Sequence, residues 1–274
     1  MMLTYDPSRY IQEVVLVGCG GTGAQIARSV ARIIRMMQDT RKSTPKLRFV
    51  DPDVVETKNV GRQLYTDSNV GMYKSIELSR RFNYALGLEI EAIPEAFNHE
   101  NHISSRGGST VIIGAVDNWA ARKAIARAEG AIWIDCGNST HSGQVVIGDA
   151  GSVDKMTYAL KSVRADSKSI RSLPNAGMLY PELLAPDPEE EQLAQTLSCA
   201  ELLALSLQSA TINQFVASVA AEYVRKLLYR EDIHSWYTTI NTTTLSMKSI
   251  PVTIDNILAH TPALSHIKLA KSAE

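Results

Sequence analysis

The segment Glu13-Val14-Val15-Leu16-Val17-Gly18-Cys19-Gly20-Gly21-Thr22-Gly23 constrains this chain more than any other. An apolar run without alternation reads as a strand buried on both faces, which implies a central strand of a parallel sheet. Residues 24–37 then place Ile26, Val30, Ile33 and Ile34 at helical spacing, so the glycine turn opens a helix. Bare backbone N–H groups and the positive end of that helix meet at one point, and an anionic phosphate is the ligand such a point favours.

The rest of the chain repeats the alternation. Residues 43–45, Ser-Thr-Pro, break the first helix, and Leu47-Arg48-Phe49-Val50 resumes as strand, completing a βαβ unit. A second helix is expected over residues 74–86, carrying Ile76, Leu78 and Phe82, followed by an edge strand over 89–93. Residues 111–115 read as a buried strand, 119–129 as a helix and 131–135 as another strand. This pattern predicts an α/β fold, doubly wound, with a mostly parallel Rossmann-like sheet. Further on, 143–147 reads as a strand, and 236–240 with 244–250 as paired late strands around Asn241-Thr242-Thr243. Between them lies a helical stripe over 199–229, with Leu203, Leu207, Ile212, Phe215, Val219, Val224 and Leu228. Residues 165–192, rich in Ser, Pro and an acidic run, predict a mobile crossover loop within a single domain spanning 1–274.

Composition narrows the setting. With 28 Lys plus Arg against 29 Asp plus Glu, the net charge is -1, so no global field draws the chain to nucleic acid or to an anionic membrane. No apolar run suffices for a membrane span, and the start of the chain lacks a signal-peptide pattern, so a cytoplasmic protein is expected. The three cysteines, Cys19, Cys136 and Cys199, form no C-x-x-C pair, and the histidines show no ligand spacing, so no zinc is expected.

The glycine turn alone is ambiguous. Gly18, Gly20 and Gly23 also satisfy G-x-G-x-x-G, in which Asp51, ending the second strand, would hold ribose hydroxyls of a dinucleotide. The following segment tips the balance: Asp51-Pro52-Asp53 leads to Asn59, Arg62-Gln63 and Lys74 at the head of a helix. Hydride transfer gives no reason to add Arg and Lys beside a phosphate loop. A triphosphate carries more charge and develops still more on the departing pyrophosphate, which these cations can stabilise. Asp117-Asn118 follows the 111–116 strand at the carboxyl edge, where a carboxylate can hold Mg²⁺ against phosphates.

Taken in order, Gly18, Gly20, Gly21 and Gly23, then Asp51 and Asp53, Asn59 with Arg62 and Gln63, Lys74, and Asp117-Asn118 with Arg122 resemble the ThiF, molybdopterin-synthase-activating and ubiquitin-activating superfamily. Within it the small bacterial ThiF-like proteins of the PRTRC type look closest. The stretches 135–138, 143–145 and 208–213 are also similar to that superfamily, less specifically. The resemblance implies adenylylation of the C-terminal carboxylate of a ubiquitin-like β-grasp protein, with release of pyrophosphate. It implies that Asp51 holds the ribose, that Asn59, Arg62 and Lys74 hold the phosphates, that Asp117 holds the magnesium, and that the protein is a homodimer.

Several positions keep a plainer reading beside the functional one. Asp53 acts through the phosphates or caps the turn after Pro52, and Gln63 is in the same position. Arg122, one turn beyond Asp117, orients that carboxylate or sits in solvent. Arg9 is expected at the surface rather than in a neighbouring subunit's site. Cys199, behind Ser198 and ahead of Glu201, either takes the activated tail as a thioester or is a buried helix-start residue. An NAD-dependent oxidoreductase, a non-catalytic scaffold of the same fold, and an enzyme that adenylylates a small acid or peptide stand as rivals.

Overall fold

The computed structural model describes residues 1–40, 43–103, 110–186, 210–265 and 267. Strand β1, Thr4–Tyr5, precedes β2, Glu13–Val17, which is buried at every position as an apolar run flanked by parallel neighbours requires. Helix α1, Gly21–Thr40, buries Ile26, Val30, Ile34 and Met37, one stripe at helical spacing. Strand β3, Lys46–Val50, helix α2, Lys74–Leu86, and strand β4, Glu91–Ile93, follow. Gly87, left-handed at φ +64°, ends α2, the conformation a residue without Cβ adopts without strain.

After the short helix α3, His99–His102, come strand β5, Thr110–Gly114, helix α4, Trp119–Ala126, and strand β6, Ile132–Asn138. Strand β7, Ser142–Gly148, helix α5, Val153–Ser162, strand β8, Ser169–Ile170, and helix α6, Ala176–Leu179, lead to a 3₁₀ turn at Pro181–Leu184. Beyond the undescribed residues lie helix α7, Ala210–Tyr229, strands β9, Ser235–Asn241, and β10, Ser246–Pro251, and helix α8, Ile254–His260. No described helix is long and apolar enough to cross a membrane.

Eight strands form one sheet in the order β10-β9-β7-β6-β5-β2-β3-β4, and β1 pairs with β8 in a separate parallel ribbon. The neighbours from β4 to β6 are parallel; β6-β7, β7-β9 and β9-β10 are antiparallel. The α/β sheet read from the sequence, with its late antiparallel strands, is the one observed. The chain leaves β2 toward β3 but reaches β6 from β5 on the opposite side, so right-handed crossovers put α1 and α4 on opposite faces. Helices α1 and α7 pack along each other on one face, and α4 with the Pro181–Leu184 turn and α6 on the other.

The stretch read as a mobile loop over 165–192 carries β8, α6 and the 3₁₀ turn in its described part, with Ile170, Leu173, Ala176, Met178 and Leu179 buried, and its residues 187–192 lie outside the described residues. Helix α5 went unread, although Ser152 caps it and Met156, Ala159 and Leu160 form its buried stripe.

Candidate functional site

In an open doubly wound sheet the crevice lies where the winding reverses, at the carboxyl ends of the strands. Here that point falls between β2 and β5, and the glycine turn occupies it. Gly18 has φ +91°, and a Cβ there would collide with the carbonyl of Ala115, just past β5; a Cβ on Gly23 would collide with the carbonyl of Gly18. Both glycines are therefore required by packing. Gly20 differs: the nearest atom to a Cβ there is Gln63 Nε2, 3.9 Å away, so its missing side chain leaves open space. That opening is what a phosphate approaching the backbone needs.

Three side chains hold the turn in shape. Asp51, at the end of β3, accepts from Cys19 N at 2.5 Å through Oδ2 and from Asp53 N at 2.8 Å through Oδ1. Burial pushes its carboxyl up, and the two N–H bonds pull the other way. Tyr65 donates its hydroxyl to the carbonyl of Cys19 at 2.7 Å and lies 3.4 Å from that of Lys74, tying the turn to the head of α2. Asn213, in the first turn of α7, accepts from Thr22 Oγ1 at 3.0 Å and from Asn138 Nδ2 at 2.5 Å, while Asn138 Nδ2 also reaches Thr22 Oγ1 at 2.8 Å. Tyr65 was not singled out from the sequence, whereas Thr22 lies in the glycine turn and Asn138 and Asn213 in the stretches 135–138 and 208–213 named there, without these contacts.

A strap over residues 53–73 covers the front. Val54 bridges Tyr73, and Asp53 ion-pairs with Lys74 at 2.8 Å. Lys74 is nearly buried while Asp53 is open to solvent, so the cation is held and its partner is displaceable. Asn59 is buried in a 3₁₀ turn, Thr57–Asn59, where its Oδ1 accepts from Glu56 N at 2.9 Å and its carbonyl from the backbone of Arg62 and Gln63. The Arg62 Nε donates to Lys58 O at 3.1 Å. Gln63 is the member of this group that sits against the glycine turn, and its Oε1 is buried without a hydrogen-bond partner.

Asp117 is exposed past β5, with Asn118 Nδ2 3.5 Å from its Oδ1. Asn118 caps α4 by accepting from Ala121 N at 2.8 Å. Arg122 does not orient Asp117: it is 9% exposed, and its Nε lies 3.4 Å from Oδ1 of Asp135 near the end of β6, which corrects both readings made of it. Asp135 is itself 1% exposed with Oδ2 unpartnered, and burial raises its pKa against the opposing pull of Arg122. Arg9 is likewise not a plain surface residue. It donates to Gly130 O at 2.6 Å and pairs with buried Asp149 at 3.3 Å, where Lys155, Ser172 Oγ and the N–H of Leu173 converge.

Cys19 and Cys136 are buried free thiols whose pKa values burial raises, so neither is poised as a nucleophile. Cys199 lies outside the described residues. Among the described residues no group of three or more His, Cys, Asp or Glu is placed to hold a metal ion.

Beside the turn, on the face of the sheet that carries α4, a cavity of about 550 Å³ opens over the antiparallel strands. Arg122, Asn138, Gln144, Leu183, Thr239 and Lys248 are among its lining residues, and no Asp or Glu is.

A glycine turn at the switch point, anchored from β3, with Lys74 at the head of α2 and Asp117 just past β5, places the chain in the doubly wound α/β class. The ThiF family model matches residues 11–257, and the chain belongs to the ThiF family. Searching curated protein sequences returns no match. Among solved structures the chain is similar to E. coli MccB with AMPCPP and MccA, at 15% identity and TM-score 0.58, covering 88% of this chain and 63% of that one. MccB with ATP gives 14% identity and TM-score 0.58 over the same shares of 88% and 63%. PaaA gives 19% identity and TM-score 0.59, covering 90% of this chain and 75% of that one. The chain thus spans about 63% of the length of MccB, and at these identities the likeness is one of fold.

Proposed function

We propose that this chain uses ATP to adenylylate the terminal carboxylate of a peptide or protein tail. The observation that carries this reading is buried Lys74, held by displaceable Asp53 at the head of α2, with open space at Gly20 of the turn; Arg62 on the strap and exposed Asp117 past β5 support it. A substrate carboxylate oxygen attacks the α-phosphorus, the bond between the α-phosphorus and the bridging oxygen to the β-phosphate breaks, and pyrophosphate leaves with the charge. Lys74 turns from exposed Asp53 to the phosphates, Arg62 and Gln63 close over them from the strap, and Asn59 holds the strap turn in place. Asp51 fixes the N–H of Cys19, and each of its oxygens keeps a further lone pair for a ribose hydroxyl.

A Mg²⁺ ion held chiefly by phosphate oxygens needs only one or two protein carboxylates, and Asp117 fits that requirement, with Asn118 shaping the turn that presents it. Bound there it would neutralise phosphate charge. Structures of MccB hold AMPCPP with MccA, and ATP, which supports ATP and a peptide tail as the substrates here. The tail of a ubiquitin-like β-grasp protein, in a cytoplasmic homodimer, is the form of substrate and assembly we favour.

ATP–pyrophosphate exchange with β-grasp proteins and free peptides is the test. Asp117→Ala and Arg62→Ala are each expected to lower exchange at least about 100-fold, on the scale of losing one group that stabilises developing charge, with melting temperature unchanged. Exchange that survives both changes would sink the assignment.

A further inference from the structure

The polar cavity beside the glycine turn has a regular floor. Pairing registers put Gly137 opposite Gln144, Gln144 opposite Thr239, and Thr239 opposite Lys248, so the four residues form one row across β6, β7, β9 and β10. Ser142, Asn241 and Ser246 form the next row. On the opposite face, Val145 and Ile240 are buried against α7 and Thr238 meets Tyr223, while Asn138 at the β6 end bonds Thr22 and Met247 on β10 is exposed. On β7 and β9 one face is therefore core, and the other is a platform of amides and hydroxyls.

The platform has a cation at each end. Arg122 lies at the β6 end, where Nε faces Asp135 and neither terminal nitrogen makes a hydrogen bond with any described residue. Lys248 lies at the β10 end and has no acidic partner among the described residues. No carboxylate lies among the described lining residues: Arg122 is met from beneath by Asp135 through Nε, and Lys248 by none. The same β6 end reaches the glycine turn from the other face, where Asn138 bonds Thr22.

Three interstrand steps of about 4.8 Å make about 14 Å, which about four residues of extended chain at about 3.3 Å each would cross. Resting on the adenylylation reading, we propose that the substrate tail lies along this row, with its terminal carboxylate at Arg122 and an Asp or Glu about four residues earlier at Lys248. A Gly-rich end suits the passage over Gly137, and the acidic residue supplies the charge that Lys248 lacks. Lys248 is on this account a specificity-determining residue.

The test uses the full chain, ATP, magnesium and a pool of synthetic peptides with free carboxyl termini, randomised over the last six positions. Hydroxylamine traps each acyl adenylate as a hydroxamate, which mass spectrometry sequences. Peptides with Asp or Glu three to five residues before the end should be enriched about fivefold, the scale of a partly screened ion pair. Lys248→Glu should move that enrichment to Lys or Arg without changing the melting temperature. Hydroxamates with no acidic enrichment, or enrichment indifferent to Lys248→Glu, would overturn the inference and leave adenylylation standing. A pool that yields no hydroxamate, together with no exchange on β-grasp proteins, would overturn adenylylation itself.

Discussion

Asp51→Asn isolates the link between a buried carboxylate and the shape of the phosphate turn. In the native protein both carboxylate oxygens accept backbone N–H groups, from Cys19 and from Asp53. An asparagine offers one oxygen and one NH₂, so one backbone donor must face another donor. A hydrogen bond to a charged group is worth about 1.5–3 kcal/mol, and that is the expected loss of stability at neutral pH. For a chain of this size each kcal/mol lowers the melting temperature by about 2–4 °C, which gives a drop of about 3–12 °C. The pH dependence has a definite sign. Because burial raises the folded pKa above its unfolded value, wild type gains from Asp51 below the ordinary carboxylate range and loses that gain as pH rises through the raised folded pKa. The advantage of wild type over Asp51→Asn therefore narrows over that window and stays constant above it. Thermal unfolding followed from acid to neutral pH measures both. An unchanged melting temperature would refute the assignment of Asp51 as the anchor of the turn, and an advantage that widens with pH would refute the dominance of burial over its two N–H bonds.

Three further outcomes follow from contacts elsewhere. Tyr65→Phe leaves the buried carbonyl of Cys19 without its donor, so chemical denaturation should show a loss of about 1–2 kcal/mol, and calorimetry should show weaker ATP binding. Gly23→Ala forces a Cβ into the carbonyl of Gly18 and should cost about 1–3 kcal/mol, whereas Gly20→Ala should leave stability unchanged and impair only nucleotide binding, as a paired thermal shift with and without ATP would reveal. Asp149→Asn removes the centre on which Arg9, Lys155, Ser172 and Leu173 converge and should destabilise by about 3–5 kcal/mol in urea unfolding.

The parallel centre of the sheet was legible because its signals are local. A β2 buried on both faces, a glycine turn and a stripe at Ile26, Val30 and Ile34 each fit in a short window of sequence. The residues that shape the turn were not, since their partners are remote: Tyr65 reaches back 46 residues to Cys19, Asn138 reaches 116 to Thr22, and Thr22 reaches 191 to Asn213. Arg122 shows the same limit. Its position one turn after Asp117 suggested a neighbour in sequence, but β6 brings Asp135 beneath it. Strands of two residues such as β1 and β8 have no periodicity to read, and only their mutual pairing defines them.

The two margins of the eight-stranded sheet bear on how another chain can approach. Strand β4 is three residues long with Glu91 locked to Arg48, and β10 ends at Pro251 and carries Lys248 in mid-strand. Short length, charge and proline are the features by which margins resist the addition of a foreign strand. A visiting polypeptide that cannot extend the ladder must be met by side chains instead, so its identity is read residue by residue while the sheet stays fixed in width.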